Sequence, residues 1–321
     1  MQNGIPPTPK AIDTLWQELA SFWRQLPDKG VFFLLLAAWV ALFQFWGNST
    51  FGFVDTPSLF GWMHYVYRGS EDDSHGFFVP FIVLALLGWK RKELIAVPKR
   101  TWWPAMGLMV LAALLHIVGY LVQQTRVSVV AFFLGLYGLT GLVWGWRWLQ
   151  ATFFPVFLFL FCVPVGTMAE TLTLPLRLLV SKISVFLSHT LLGISVQQDG
   201  VQIFSPTGSY GYEVAAACSG IRSLSALLGI ATVYAFCVFK SPWKRLLMMA
   251  AALPLAVVGN VARLMGVIIV AETFGQRAGA YVETKFGFVT FAVVIVCVLV
   301  LGRWLEARKP EALPAWESKT V

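Results

Sequence analysis

The residue best suited to covalent chemistry is Cys218, which follows a run of small residues and precedes a long apolar segment. Ser219 is a good N-cap for a helix starting there, so free amides and a positive dipole end would lie beside the thiol. Glu213 precedes the cysteine, and Arg222 adds positive charge four residues after it. These conditions lower the pKa of a thiol and favour a nucleophilic thiolate. The alternative is a small residue packed at the start of a helix.

A second candidate, Arg263, lies deep within an apolar segment. A charge in such a place is costly unless it faces a polar cavity or a partner. Asn260, three residues earlier, shares its helical face. An arginine there can orient a substrate carbonyl or stabilise an oxyanion. The alternative is a structural arginine that pairs with a carboxylate such as Glu272 or Glu213.

Two further residues have types suited to proton transfer. Glu283 follows the arginine segment and can act as a general base if burial raises the pKa of its carboxyl group; the alternative is a solvated loop carboxylate. His75 precedes another apolar segment, in Ser74–Pro80. A lone histidine at that position is more usually an interfacial or capping residue.

Composition predicts a membrane protein. Of the 321 residues, 58% are hydrophobic and only 12% are charged, whereas soluble domains are about 25% charged. The net charge of +8 fits basic cytoplasmic loops, and no basic cluster interleaved with aromatics points to nucleic acid. The four cysteines have no metal-type spacing. No metal or cofactor is therefore predicted.

The apolar segments predict eight spans in an all-α polytopic membrane protein. Basic residues follow the even-numbered spans, as Lys90 does after the second and Lys244 after the sixth, so both termini are predicted to be cytoplasmic. The four candidate residues then share the outer face. The predicted parts are a tail with an amphipathic helix (1–30), a transmembrane domain (31–303) and a tail (304–321). The spans are approximately 31–46, 77–89, 103–122, 127–144, 151–165, 221–239, 246–271 and 288–301.

Two segments before the sixth span are predicted to lie outside the membrane core. In 171–195, one helical stripe is polar, which is typical of an amphipathic interfacial helix. If this helix crossed, the basic loop at 240–245 would face outward. Residues 196–204 alternate around Asp199-Gly200, which predicts a small extracytoplasmic hairpin. Its edge could pair with a peptide or simply pack over the bundle. The stripe residues are Arg177, Ser181, Ser184 and Ser188.

Three motifs together resemble the exosortase/archaeosortase family. The stretch 213–224, with Cys218 near its centre, is similar to the family's cysteine signature. Asn260–Arg263 resembles its arginine motif, and Ser74–Pro80 its N-terminal motif. Their order and spacing cover about residues 70–290.

The resemblance implies a polytopic transpeptidase of the bacterial inner membrane, with its active site on the periplasmic face. Such enzymes recognise exported proteins with a C-terminal PEP-CTERM signal, cleave them through a cysteine, and pass the new carboxyl end to an acceptor. The implied partners are these substrate proteins, membrane lipids and a glycolipid or polysaccharide acceptor. The family's cysteine and arginine correspond to Cys218 and Arg263.

The family has a third catalytic residue beside the cysteine and the arginine, and this one does not carry over. Exosortases have a histidine four residues before a glycine at the mouth of the last span, and counting back from Gly287 gives Glu283. Glu283 could act as the base, His75 or Arg277 could fill the role, or the protein could be atypical. The predicted supporting residues are His75, Glu213, Ser219, Arg222 and Asn260.

Two other functions fit parts of the sequence. A non-enzymatic transporter or scaffold for exopolysaccharide export would explain the deep arginine and a discontinuous-looking segment at 165–200, although no inverted repeat is visible. A membrane cysteine protease that releases its product by hydrolysis is the closer alternative.

Overall fold

The chain is an all-α membrane protein in which the described residues form one small sheet, and its contacts divide it into two units. These are Met1–Val165 and Gly166–Val321. The structure, a computed structural model, describes residues 11–50, 52–70, 72–213, 221–285 and 287–307.

The first unit is helical throughout its regular structure. The α-helices are α1 (Ala11–Gln25), α2 (Lys29–Trp46), α3 (Leu59–Gly69), α4 (Val79–Trp89), α5 (Arg91–Ala96), α6 (Met106–Leu121), α7 (Thr125–Trp144) and α8 (Trp146–Phe157). Short 3-10 segments cover Ser74–Phe77, Trp103–Ala105 and Leu158–Cys162. α1 exposes Trp16 and Trp23, and its location at the membrane surface stays a prediction.

The core of the first unit depends on close contact between α2 and α7. The Trp39 indole donates a hydrogen bond to the Phe132 carbonyl at 3.1 Å. A Cβ at Gly135 would lie 2.0 Å from the Trp39 ring, so only glycine permits this approach. Phe43, one turn after Trp39, is fully buried in the same cluster.

The second unit has a three-stranded antiparallel sheet that packs against helices. Its elements are α9 (Gly166–Leu187), which continues as a π-helical turn (Ser188–Leu192), β1 (Gln197–Asp199), β2 (Gln202–Phe204), β3 (Gly211–Glu213), α10 (Ile221–Val238), α11 (Pro242–Phe274), α12 (Gln276–Lys285) and α13 (Gly287–Ala307). The strand order is β1-β2-β3. Ile203, Tyr210 and Tyr212 pack with residues 261–271 of α11 and with Val180 of α9.

Within the described residues, five helices are long and apolar enough to cross a membrane. All eight segments predicted to cross lie largely within helices, but several of these helices are shorter than a full crossing. The number of spans and their orientation therefore stay predictions. The five helices are Lys29–Trp46, Trp103–Leu121, Thr125–Trp144, Thr173–Leu192 and Pro242–Phe274.

The polar stripe of α9 and its π-helical turn faces protein. Arg177 is 9% exposed, and Ser181, Ser184 and Ser188 are fully buried. An interfacial helix turns its polar side to water, so the argument from the stripe was wrong, whereas the argument from the basic loop at 240–245 is not tested. Length and composition would also allow a crossing, and the location itself stays a prediction. The outward side is apolar and includes Leu174, Leu178, Leu179 and Phe186.

Substitutions at Ser184 test the burial of this stripe. Ser184→Leu is expected to lower the free energy of unfolding by about 1–3 kcal/mol, because a larger side chain overpacks a filled interior. Ser184→Ala should be neutral or slightly stabilising, since this buried hydroxyl has no hydrogen-bond partner among the described residues. Thermal unfolding in detergent measures both, with the exposed Leu179→Ala as control. A neutral Ser184→Leu would show that the stripe does not face protein.

Candidate functional site

The deep arginine of α11 makes one hydrogen bond to another helix and leaves one donor unused. An Arg263 terminal nitrogen donates to the backbone carbonyl of Glu283 in α12. The Nε atom of Arg263 is buried without a hydrogen-bond partner among the described residues. Arg263 forms no ion pair with a carboxylate that the structure describes, so the predicted alternative of pairing with Glu272 is not what the structure contains. Asn260 lies one turn earlier on α11 and is half-buried.

Both ends of α12 are held through their carbonyl groups. Glu283 lies in the last turn of α12, where carbonyls have no partner within the helix, and the arginine caps one of them. In the first turn, the Tyr212 hydroxyl donates to the Gln276 carbonyl at 2.8 Å. α12 is thus attached to α11 at one end and to β3 at the other.

Tyr212 links the strand that leads toward Cys218 to the helix that carries Glu283. A Cβ at Gly279 would lie 2.2 Å from the Tyr212 hydroxyl oxygen, so glycine is needed for this contact. Burial raises the pKa of Tyr212, and the nearby Glu283 carboxylate raises it further, whereas the backbone of Ala280 lowers it. The structure therefore brings Arg263, Glu283 and Tyr212 together.

Tyr210 lies two residues before Tyr212 and points to the same side of the sheet. It is 2% exposed. Burial raises its pKa first, followed by interaction with Glu272, although no hydrogen bond of ordinary geometry reaches the Tyr210 hydroxyl. The Glu272 charge thus acts on Tyr210. Neither tyrosine was predicted to belong to the site, although the alternation before Glu213 could have indicated that they share a face.

The predicted nucleophile lies outside the described residues. Cys218 and Ser219 belong to 214–220, which connects β3 to α10. Glu213 ends β3, and Arg222 is the second residue of α10. The structure describes the backbone of these two residues but not their side chains. The roles predicted for all four therefore stay predictions.

His75 belongs to the first unit, in the 3-10 turn Ser74–Phe77. Its Nδ1 lies 2.8 Å from the Asp72 carbonyl oxygen. Because a carbonyl can only accept, Nδ1 carries the hydrogen in this contact, and in the neutral ring Nε2 is then an acceptor. His75 is half-buried. This geometry matches a residue that stabilises its own turn, and it leaves one ring nitrogen for other contacts.

The turn around His75 is fixed by buried contacts to the end of the first unit. The carboxylate of Asp73, which is 1% exposed, accepts a hydrogen bond from the Val165 amide at 2.9 Å. Tyr67 donates from its hydroxyl to the Cys162 carbonyl. Burial, and then the neighbouring Cys162 and Asp73, raise the pKa of Tyr67. Gly76 is buried against the Tyr67 ring. Much of the Ser74–Pro80 motif therefore has a packing role.

No group of three His, Cys, Asp or Glu side chains able to hold a metal ion occurs in the part of the chain that the structure describes.

A substitution at Gly76 tests the packing role of the motif. A Cβ there would lie 2.5 Å from the Tyr67 ring, so Gly76→Ala should lower the free energy of unfolding by about 1–3 kcal/mol. Gly88→Ala in α4 is the matched control, because a Cβ there meets nothing within 4 Å. Thermal unfolding of both variants in detergent measures the difference. Equal stability of the two would contradict a packing role for Gly76.

Comparison with protein families supports the resemblance seen in the motifs. A family model described as transmembrane exosortase matches residues 62–300. Comparisons with curated proteins and with solved structures give no significant match. The matched region covers most of the chain, including the histidine turn, the cysteine segment, α11 and α12. The chain belongs to the transmembrane exosortase family.

Proposed function

We propose that this protein is a membrane cysteine transpeptidase or protease that cleaves C-terminal PEP-CTERM sorting signals of exported proteins. Cys218 is the nucleophile, Arg263 stabilises the oxyanion, and Glu283 is the general base. The reaction takes place at the periplasmic face of the bacterial inner membrane, and both termini are cytoplasmic. No cofactor is required for this chemistry.

The observation that carries the proposal is that Arg263 is hydrogen-bonded at one nitrogen and, within the part of the chain that the structure describes, unpartnered at another. One nitrogen of its guanidinium caps α12, while Nε is buried without a partner among the described residues. A buried donor left without a partner costs about 1–3 kcal/mol. That cost is recovered when an anionic oxygen forms beside it. A donor fixed in place before the reaction is the arrangement that oxyanion stabilisation requires.

The proposed reaction proceeds through a thioester. The thiolate of Cys218 attacks the scissile carbonyl carbon, a C–S bond forms, and the carbonyl oxygen becomes an oxyanion that Arg263 stabilises. Glu283 has taken the proton of the Cys218 thiol as the thiolate formed, and it gives this proton to the leaving amine when the C–N bond breaks. An acceptor amine or water next attacks the thioester, forms a new C–N or C–O bond, and releases the thiolate. Glu283 accepts the proton of this second nucleophile.

Tyr212 supports the choice of Glu283 over the other candidate bases. The carboxylate lies close enough to raise the pKa of this tyrosine, and the same residue's carbonyl is bonded to Arg263. These two interactions support Glu283 as the base. Arg277 lies on the same helix but is exposed, and His75 lies in the first unit.

The partners follow from the family. The substrate's own hydrophobic tail enters among the spans from the lipid and presents its peptide at the outer face. A glycolipid or polysaccharide amine, or water, accepts the acyl group. The transporter alternative rested on the deep Arg263 and on a discontinuous-looking segment at 165–200. Gly166–Leu192 is continuous helix and π-helical turn, so the segment no longer supports it.

Co-expression with a tagged PEP-CTERM protein tests the proposed nucleophile. Cys218→Ala should abolish processing, because no other group in the proposed mechanism forms the thioester. The matched control is Cys297→Ala in α13, which removes a thiol away from the proposed site and should process the substrate normally. The measurement is the ratio of processed to full-length substrate on a gel. Equal processing by wild type and Cys218→Ala would rule out the cysteine mechanism.

The same assay separates the other roles. Arg263→Lys should lower the processing rate about 10²–10³-fold, as for loss of an oxyanion donor. Glu283→Gln should lower it about 10²–10⁴-fold, and His75→Ala should lower it far less. Full activity of Glu283→Gln together with inactivity of His75→Ala would move the base to His75.

A further inference from the structure

Among the described residues, β3 is an edge strand that has a neighbouring strand on one side only. The sheet order is β1-β2-β3, so β3 pairs with β2 on one side and with no described strand on the other. The Ser205 amide donates to the Tyr210 carbonyl at 3.0 Å. In antiparallel strands, hydrogen-bonded pairs alternate with pairs that are not hydrogen-bonded. The Ser205–Tyr210 bond therefore shows which pairs of β2 and β3 are hydrogen-bonded. The pair Ile203–Tyr212 is therefore hydrogen-bonded, and the pair Phe204–Gly211 is not.

The open side of β3 presents backbone groups at two positions. Since Tyr212 turns its N–H and C=O to β2, Gly211 and Glu213 turn theirs away from the sheet. No described residue is hydrogen-bonded to these outward groups. Alternate residues along a strand are about 6.8 Å apart, which is the spacing at which another extended chain offers its own donors and acceptors.

Nothing in the sequence of β3 blocks this side. Of the devices that protect edge strands, Gly211–Glu213 contains no lysine, proline or bulge; it is short, and its one charged residue is Glu213. Gly211 is exposed, and a Cβ there would meet only the Cβ of Phe204, at 3.7 Å. The exposed backbone of Gly211 is therefore within reach of a second chain.

β3 is held in place by its contacts with α11 and α12. Tyr210 and Tyr212 are 2% and 6% exposed and pack on α11. The Tyr212 hydroxyl is bonded to α12. The chain then reaches Cys218 five residues after Glu213. An extended peptide paired with β3 would thus lie on the strand that directly precedes the proposed nucleophile.

We propose that the open edge of β3 binds the segment of the substrate protein around the scissile bond as a fourth strand. This inference rests on the proposed function and specifies how the peptide is held. Backbone pairing supplies affinity and extension without requiring particular side chains. The extended peptide then presents its carbonyl groups in a fixed register to the segment that contains Cys218.

Proline substitutions on the two edges of the sheet test this proposal. Gly211→Pro removes an outward N–H from the β3 edge without breaking a β2–β3 bond. The matched control is Gln198→Pro on the β1 edge. Gln198 pairs with Ile203, and the backbone N–H and C=O of Ile203 face β3. The Gln198 N–H therefore points away from the sheet. Gly211→Pro should lower kcat/KM for a purified PEP-CTERM protein about tenfold, equivalent to about 1.4 kcal/mol, mainly through KM. Gln198→Pro should stay within about twofold of wild type.

Gly211→Ala separates the side chain from the N–H. It retains the outward N–H and should lose less activity than Gly211→Pro. Thermal unfolding of all three variants shows whether the sheet still folds. If Gly211→Pro is folded and as active as Gln198→Pro while Cys218→Ala is inactive, the edge proposal is wrong and the proposed function stands. If Cys218→Ala is active, the proposed function itself fails.

Disulfide crosslinking decides the question if Gly211→Pro does not fold. Gly211→Cys is combined with single cysteines placed one by one along the substrate segment, in a chain that cannot process it. We expect crosslinking at every second substrate position, because side chains alternate along a strand. Crosslinking without this period, or only between two copies of the protein, would overturn the proposal. The background substitutions are Cys218→Ala, Cys162→Ser, Cys237→Ser and Cys297→Ser.

Discussion

The hydrogen bond from Arg263 to the Glu283 carbonyl is the contact on which the arrangement of the second unit depends. A guanidinium placed deep in an apolar helix is costly unless polar groups surround it. A helix end supplies such a group, because its last carbonyls have no partner within the helix. The charge and the orphan carbonyl therefore stabilise each other. This pairing fixes the end of α12 against α11.

The small sheet extends this arrangement from the helices to the cysteine segment. Tyr212 fills the space above Gly279 and bonds the first turn of α12, so β3 cannot shift without disturbing that helix. Tyr210 is buried two residues earlier. The strand that leads to the proposed nucleophile and the helix that bears the proposed base are consequently parts of one rigid cluster. Fixed positions of this kind are what a covalent reaction needs, because small displacements of reacting groups reduce rates strongly.

Sequence reasoning identified the membrane class and the family, because composition and short motifs carry that information locally. It also singled out Arg263, whose role stays a prediction. It did not identify Tyr212, whose contact with Gln276 joins residues 64 positions apart. It also assigned the stripe of α9 to the wrong surroundings. Helical periodicity reveals that Ser181 and Ser184 share a face, but only tertiary packing determines whether that face meets protein or water. The hydrogen bond from Arg263 to the Glu283 backbone carbonyl could not be predicted either, because the type of a side chain does not indicate what its backbone binds.

Detection of the acyl-enzyme tests the central claim most directly. The wild-type protein is incubated with a purified PEP-CTERM substrate, quenched in acid and analysed by mass spectrometry. The account predicts an adduct on Cys218 with the mass of the substrate's amino-terminal fragment, and neutral hydroxylamine should remove it because a thioester is labile to that nucleophile. Continued processing with the adduct on another residue, or with a hydroxylamine-resistant linkage at Cys218, would contradict it.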